Sequence, residues 1–230
     1  MEMNTKPVIK AASEIIKYPD MLHESGSIGF LEKIIIGNII YMIKPKLVIE
    51  TGLFKGYTHK YLTDFIALNE INGCRVVSFD LPDVVNSFKK NNSGYDKNGL
   101  IEVVGGKLPD SLLKFLSQTS ETIDFAIVDS DHSYSGVLND LNAIGPRLRE
   151  GGYIFSHDYR PFDEKYFGTT RAIDEYCIKN DYDYLPLFSE TDIVWGSALL
   201  RKSEKCRTRN NRLNQFRFSF KKFFKRLRLY

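Results

Sequence analysis

The stretch that most constrains the fold is residues 47–58, which read Leu-Val-Ile-Glu-Thr-Gly-Leu-Phe-Lys-Gly-Tyr-Thr. The apolar run ending at Glu50 predicts a buried strand. Gly52 and Gly56, followed by a helical pattern, predict a tight turn into a helix. A strand, a glycine turn and a helix in this order are typical of nucleotide-binding sheets, in which the ligand lies at the turn.

The residues that fill this turn favour an adenosine ligand without phosphate. A dinucleotide turn needs a middle glycine so that the backbone can approach a pyrophosphate, and here Phe54 holds that position. We expect its ring to obstruct a phosphate and the Glu50 carboxylate to repel one. S-adenosylmethionine carries ammonium and sulfonium groups and fits the turn. A plain strand-turn-helix, with glycines needed only for backbone conformation, stays open as the alternative.

Strand-like and helix-like runs alternate through residues 46–200, which predicts an α/β fold with a Rossmann-like, doubly wound sheet of seven strands. Two consecutive strand patterns near the end predict an antiparallel hairpin on a mainly parallel sheet. The predicted strands are 46–50, 75–80, 100–104, 123–129, 153–156, 182–187 and 192–200. The predicted helices are 57–68, 83–90, 110–116, 135–149 and 170–179.

The composition indicates a folded protein of the cytoplasm. The 230 residues are 43% hydrophobic, which is ample for one core. The three cysteines stand in no metal-like spacing, so a reducing compartment is expected, and no signal peptide is recognised. The apolar run 34–43 is about half the roughly 20 residues of a membrane span and predicts a buried helix. We divide the chain into an N-terminal cap (1–27), one domain (28–202) and a tail (203–230).

The tail is basic and amphipathic. Residues 201–230 hold twelve Lys or Arg and one acidic residue, a net charge of +11, so residues 1–200 carry −8. Wound as a helix, the tail places Phe216, Phe220, Phe223, Phe224 and Leu227 on one stripe. This pattern predicts binding of residues 205–230 to an anionic membrane surface, with peripheral attachment at the inner face. Docking of the stripe on the body or on a second subunit stays open, as does a homo-oligomer.

Acidic residues follow most of the predicted strands, at the sheet edge where ligands bind. Asp80 follows the second strand, where an acid can accept the ribose hydroxyls of an adenosine. Gly105 and Gly106 follow the third strand and allow an adenine ring to lie against backbone. The complete acidic set is Glu50, Asp80, Asp129, Asp131 and Asp158.

Histidines join the acids after the fourth and fifth strands. His132 follows Asp129, and His157 precedes Asp158. A histidine beside carboxylates gains basicity and can act as a general base near neutral pH. Carboxylates from two strands can also share a divalent cation such as Mg²⁺. His132, Asp129 and His157 are therefore the predicted catalytic residues, whereas His23 and His59 are interpreted as structural.

The chain resembles the class I S-adenosylmethionine-dependent methyltransferases, and more narrowly the catechol-type and macrolide-sugar O-methyltransferases. The resemblance covers residues 28–202. It is carried by the glycine turn, by Val-Ser-Phe-Asp at 77–80, by Ile-Asp-Phe-Ala-Ile-Val-Asp-Ser-Asp-His-Ser-Tyr at 123–134 and by Leu-Arg-Glu-Gly-Gly-Tyr-Ile-Phe at 148–155.

The resemblance implies roles for individual residues. Glu50 and Gly52 would border the methionine part of the cofactor, with Phe54 and Gly56 in the same turn. Asp129 and Asp158 match two metal-ligand positions of the catechol-type enzymes. The third position, commonly Asn or Asp there, is Tyr159 here, which puts a metal in doubt unless Asp131 or a water completes the shell. His132 stands where those enzymes place a catalytic lysine.

The sequence therefore predicts an O-methyltransferase acting on a hydroxyl of a sugar, a glycan intermediate or a small natural product. Two alternatives stay open: a nicotinamide-dependent oxidoreductase, and a non-catalytic membrane- or partner-binding protein on a methyltransferase scaffold. Nucleic acid is not the expected partner, because Ser-His-Asp-Tyr-Arg-Pro at 156–161 replaces the Asn-Pro-Pro-aromatic segment of amino-methylating enzymes. Ribose methylation of RNA stays open.

Overall fold

A computed structural model describes residues 16–19, 28–93, 101–160, 167–188 and 196–203. Strands and helices alternate along this part of the chain. The helices are α1 (Phe30–Ile43), α2 (Tyr57–Leu68), α3 (Pro82–Asn91), α4 (Asp110–Ser117), α5 (Tyr134–Ile144) and α6 (Phe167–Asn180). The strands are β1 (Leu47–Thr51), β2 (Arg75–Asp80), β3 (Ile101–Gly105), β4 (Ile123–Val128), β5 (Leu148–His157), β6 (Tyr182–Phe188) and β7 (Gly196–Lys202).

The strands form one seven-stranded sheet in the order β3-β2-β1-β4-β5-β7-β6. The first five strands in this order are parallel, whereas β7 is antiparallel to both β5 and β6. The strand order reverses between β1 and β4, and the crevice beyond such a switch point is where doubly wound sheets bind ligands. The predicted fold class and the C-terminal hairpin are confirmed.

Helices cover both faces of the sheet because alternate strand residues point to opposite sides. On β1, Leu47 and Ile49 pack into a core with α4, α5 and α6, whereas Val48 packs into a second core with α1 and α2. The predicted helix at 34–43 is α1, and its Ile36 and Ile40 are fully buried in the second core. The sheet is therefore buried on both sides, and its carboxyl edge is left for the site.

Several predicted boundaries were wrong, among them the following three. The helix predicted over 135–149 ends at Ile144, because Pro146 has no N–H with which to continue it. Residues 148–152 belong to β5, although the strand was predicted to begin at 153. β1 extends to Thr51, so Glu50 lies inside the strand, flanked by Ser78 and Ile127 on the neighbouring strands.

The ends of the chain are described only in part. Within the predicted cap, Tyr18 stacks on Phe65 of α2 at a ring-centroid distance of 5.5 Å. The amphipathic tail, His23 and residues 191–195 lie outside the described residues. No helix in the described ranges is long and apolar enough to cross a membrane.

Candidate functional site

A cleft of about 740 Å³ opens at the carboxyl edge of the sheet, where β1, β2, β4 and β5 end. This volume is within the range of ligand pockets, roughly 300–1,000 Å³. Residues from five segments of the sequence line it: 52–55 with 57–58, 80–81 with 84, 106–108, 129–132, and 157–158 with 160. The topology thus brings most of the predicted site residues to one crevice.

The glycine turn is packed directly against the loop after β4. Gly52 has a φ of 93°, and a Cβ there would lie 2.1 Å from the carbonyl oxygen of Asp129. Asp129 in turn donates its N–H to the carbonyl of Thr51 at 3.0 Å. Gly56 begins α2 with a φ of 75°. Only glycine combines this backbone conformation with such close contact, so the turn is fixed by sterics.

Asp80, the last residue of β2, holds the same turn in place through hydrogen bonds. One of its oxygens, Oδ2, accepts the N–H groups of Leu53 and Phe54, both at 2.9 Å. The other, Oδ1, accepts the N–H of Leu81 at 2.7 Å. A carboxylate offers about four acceptor positions, so about one remains for a ligand hydroxyl. Asp80 can therefore accept a hydrogen bond from about one ribose hydroxyl, because its other acceptor positions hold the turn.

Phe54 lines the cleft, with 55% of its surface exposed. Its φ of 46° is uncommon for a bulky residue and is held by the Asp80 hydrogen bond. Gly106 lines the cleft and donates its N–H to the Asp80 carbonyl at 2.9 Å. Gly56, Gly105 and Glu50, although predicted to bind the cofactor, do not line the described cleft.

Glu50 lies in a buried polar chain. The Ser78 hydroxyl donates to Glu50 Oε2, and His59 Nδ1 lies 2.6 Å from the same hydroxyl. Burial raises the pKa of Glu50 to about 8, against the opposing effect of the Ser78 hydrogen bond. Burial thus favours the neutral carboxyl near pH 7, which weakens the expected repulsion of phosphate by Glu50 and leaves Phe54 as the main expected obstruction.

His132 is hydrogen-bonded to Asp158 at the open side of the cleft. Its Nδ1 lies 2.5 Å from Asp158 Oδ2, and 48% of its side chain is exposed. The hydrogen bond to Asp158 raises the pKa of His132 against the effect of partial burial. Asp158 itself is buried with a φ of 60°, and its Oδ1 accepts a 2.6 Å hydrogen bond from Arg160 Nη2.

His157 lies deeper and is surrounded by carboxylates. Its Nδ1 is 3.2 Å from Asp129 Oδ1 and 3.5 Å from Asp158 Oδ2, and its Nε2 is 3.7 Å from Glu32 Oε2. Burial opposes a charged imidazole, but the three carboxylates outweigh it and raise the pKa of His157 well above its usual range. The carboxylates therefore favour the protonated form of His157, and this form does not accept a proton from a substrate.

The side chains that could bind a metal ion are already paired with other side chains of the protein. Within the described residues, ligand atoms of Asp129, His132 and Asp158 lie within 4.8 Å of one another. However, both Asp158 oxygens bind positively charged or imidazole groups, and Asp129 pairs with His157. At the third ligand position, Tyr159 directs its hydroxyl to Asp174 at 2.9 Å. The donor set does not fit a resident divalent cation.

Two residues of this cluster were missed from the sequence. Arg160 is adjacent to the predicted Asp158, and a basic residue just past a strand end was the available signal. Glu32 belongs to α1, more than 120 residues before His157 in the chain. No spacing rule connects residues so far apart, so nothing in the sequence indicated this contact.

Comparison with known families identifies the domain. Residues 49–159, from β1 to just past β5, match a family model described as a methyltransferase domain. The chain carries a methyltransferase domain. Both the resemblance recognised in the sequence and the prediction of a methyltransferase enzyme are confirmed. The matched range contains the glycine turn, Asp80, Asp129, His132 and Asp158.

Solved structures share the fold of this methyltransferase domain at low identity. The O-methyltransferase TomG from Streptomyces achromogenes, involved in tomaymycin synthesis and solved with S-adenosylmethionine, has a TM-score of 0.66 at 13% identity, covering 88% of this chain and 100% of that one. An O-methyltransferase from Bacillus cereus, complexed with S-adenosylhomocysteine, has a TM-score of 0.63 at 16% identity, covering 85% and 87%. The calicheamicin methyltransferase CalS11 has a TM-score of 0.61 at 16% identity, covering 76% and 78%. No curated protein matches the chain.

Proposed function

We propose that this protein binds S-adenosylmethionine in the cleft and transfers its methyl group to a hydroxyl oxygen of a sugar, a glycan intermediate or a small natural product. The observation that carries the proposal is the His132–Asp158 pair, which opens into the cleft beside the glycine turn. TomG and CalS11, which are named for natural-product synthesis and modification, support this acceptor class.

We name the two sides of the cleft by their proposed ligands. The cofactor half consists of residues 52–58, 80–84 and 106–108, and the acceptor half of residues 129–132 and 157–160. The glycine turn and Gly106 offer backbone for close approach, and Asp80 offers its remaining acceptor position to the ribose. These features fit a phosphate-free adenosine cofactor.

When bound, S-adenosylmethionine supplies an electrophilic methyl carbon on a sulfonium. This sulfonium would leave as a neutral thioether as the acceptor oxygen bonds to the methyl carbon, and His132 would take the hydroxyl proton. The contact of Asp158 with Nδ1 of His132 favours the tautomer in which Nε2 is the basic nitrogen. General-base help of this kind contributes about 10²- to 10⁴-fold, which a poorly nucleophilic sugar hydroxyl needs.

The test is methyl transfer from isotopically labelled cofactor to a panel of sugars, nucleotide sugars and phenolic natural products, followed by mass spectrometry. We expect one labelled methyl on a hydroxyl of at least one acceptor, and a large loss of transfer in His132→Gln. Cofactor binding without transfer to any acceptor would favour the non-catalytic alternative. Oxidation of an acceptor with nicotinamide cofactor would favour the oxidoreductase.

A further inference from the structure

We propose that the Arg160 guanidinium supplies, from within the protein, the positive charge beside Asp158 that a divalent cation would otherwise supply, so that methyl transfer proceeds without a metal. The inference rests on the proposed function for its catalytic part. Its structural part concerns only the charge balance of the acceptor half and can be measured without an acceptor.

The balance of charges in the acceptor half is the first observation. Asp129, Asp131 and Asp158 belong to this half, and Glu32 of α1 reaches His157 from outside it. The Arg160 guanidinium is 7% exposed and pairs with Asp158, and the buried His157 lies beside Glu32, Asp129 and Asp158. The charge of Asp158 is thus compensated inside the protein by Arg160. A divalent ion would have to compete with this buried guanidinium, at a site where water screens charges weakly.

The second observation is that Arg160 is held in place from both ends. Its backbone N–H donates to the Thr170 hydroxyl of α6 at 2.9 Å, while its side chain returns to Asp158. Asp158 adopts a left-handed backbone at the end of β5, which directs its carboxylate towards both Arg160 and His132. The guanidinium thus lies at the Asp158 oxygen that a metal would have to share with it.

The test is a titration of the full-length protein with Mn²⁺, read by electron paramagnetic resonance, for wild type, Arg160→Lys and Arg160→Gln. Wild type and the lysine variant keep the charge, and we expect neither to bind Mn²⁺ below about 1 mM, the concentration of weak protein sites. The glutamine variant frees Asp158, and we expect it to bind Mn²⁺ at least tenfold more tightly than wild type. Circular dichroism checks the folding of each variant.

Two results would overturn the inference. One is stoichiometric Mn²⁺ binding by wild type that Asp129→Asn abolishes. The other is a folded Arg160→Gln variant that binds no more Mn²⁺ than wild type. If Arg160→Gln does not fold, the wild-type titration alone decides. Absence of any methyl transfer would overturn the proposed function but not the Mn²⁺ result, whereas transfer that stops in EDTA and returns with Mn²⁺ would overturn this inference alone.

Discussion

The cofactor half of the cleft is built from backbone, and the acceptor half from buried charge. In the cofactor half, Gly52, Gly56 and the N–H groups bound by Asp80 set the shape of the turn. In the acceptor half, His132, His157 and Arg160 are held by carboxylates from several elements. The first arrangement depends on conformation and sterics, and the second on charge balance.

This difference predicts which properties are lost when residues of each half are substituted. A backbone turn tolerates little change in shape, so substitutions there should affect stability and cofactor binding together. A charge cluster can keep its shape when one member is replaced by an isostere, so substitutions there should affect catalysis and leave cofactor binding nearly unchanged. The following predictions, in order of decreasing effect, test this division.

The largest effect is expected in the acceptor half, from His132→Gln. The variant removes the proton acceptor while keeping a side chain of similar size, so kcat should fall about 10²- to 10⁴-fold. Asp158→Asn should also lower kcat, because it removes the partner that binds Nδ1 of His132. Calorimetric titration with S-adenosylhomocysteine should give dissociation constants within about threefold of wild type for His132→Gln. Equal losses of cofactor binding and of kcat would show that the two halves of the cleft do not act separately.

The next effect is expected in the cofactor half, from Gly52→Ala. A left-handed backbone costs a non-glycine residue about 1–2 kcal/mol, and overpacking against the Asp129 carbonyl adds about 1–3 kcal/mol. Gly73→Ala is the matched control, since Gly73 has a φ of 74° and nothing within 4 Å of an added Cβ. Urea unfolding should show a loss of about 1–2 kcal/mol for the control and a larger one for Gly52→Ala.

Cofactor binding completes this comparison. Gly52→Ala should weaken binding of S-adenosylhomocysteine, whereas Gly73→Ala should leave its dissociation constant unchanged. If both variants lose the same stability and both bind the cofactor as wild type does, the contact between the turn and the loop after β4 is not what shapes the cofactor half.

A pH-dependent effect is expected from Glu50. Its pKa of about 8 lies above the ordinary 4.5, so the folded protein keeps a proton that the unfolded chain releases between these values. The free energy of unfolding should therefore fall as pH rises from about 4.5 to about 8, by up to roughly 1.4 kcal/mol per pH unit. Glu50→Gln mimics the neutral carboxyl and should lack this part of the slope. Parallel stability profiles for wild type and variant in urea would contradict it.

The smallest effect per residue is expected in the tail, which belongs to neither half. Each Lys or Arg near an anionic surface contributes about 1 kcal/mol to membrane binding. Full-length protein should float with phosphatidylserine vesicles, and a chain ending at residue 203 should not. A full-length variant with Lys221, Lys222 and Lys225 changed to Ala, but with its apolar stripe intact, should bind more weakly. Equal flotation of the full-length and shortened forms would remove the membrane proposal.

The same division explains what the sequence could predict. The glycine turn was recognisable because turn geometry depends on residues close together in the chain. Asp80 was recognisable because it ends a predicted strand at the same edge of the sheet. The seven strands followed from alternating patterns, and errors fell at boundaries such as Ile144, where a proline ended a helix that periodicity alone would extend.

The acceptor half was only partly predictable because its charges meet through the fold. Asp129, His132 and Asp158 were expected together, since parallel strands end at one edge. Neither the contact of Glu32 with His157 nor the raised pKa of His157 follows from spacing. The buried Glu50 chain was missed for the same reason: only the structure places Ser78 and His59 beside Glu50 and shows its burial.

The most direct test of the central claim is a calorimetric titration of the full-length protein with S-adenosylmethionine and, separately, with NAD. The account predicts one S-adenosylmethionine bound per chain and no binding of NAD, because Phe54 obstructs the approach of a pyrophosphate. Binding of NAD without binding of S-adenosylmethionine would contradict it.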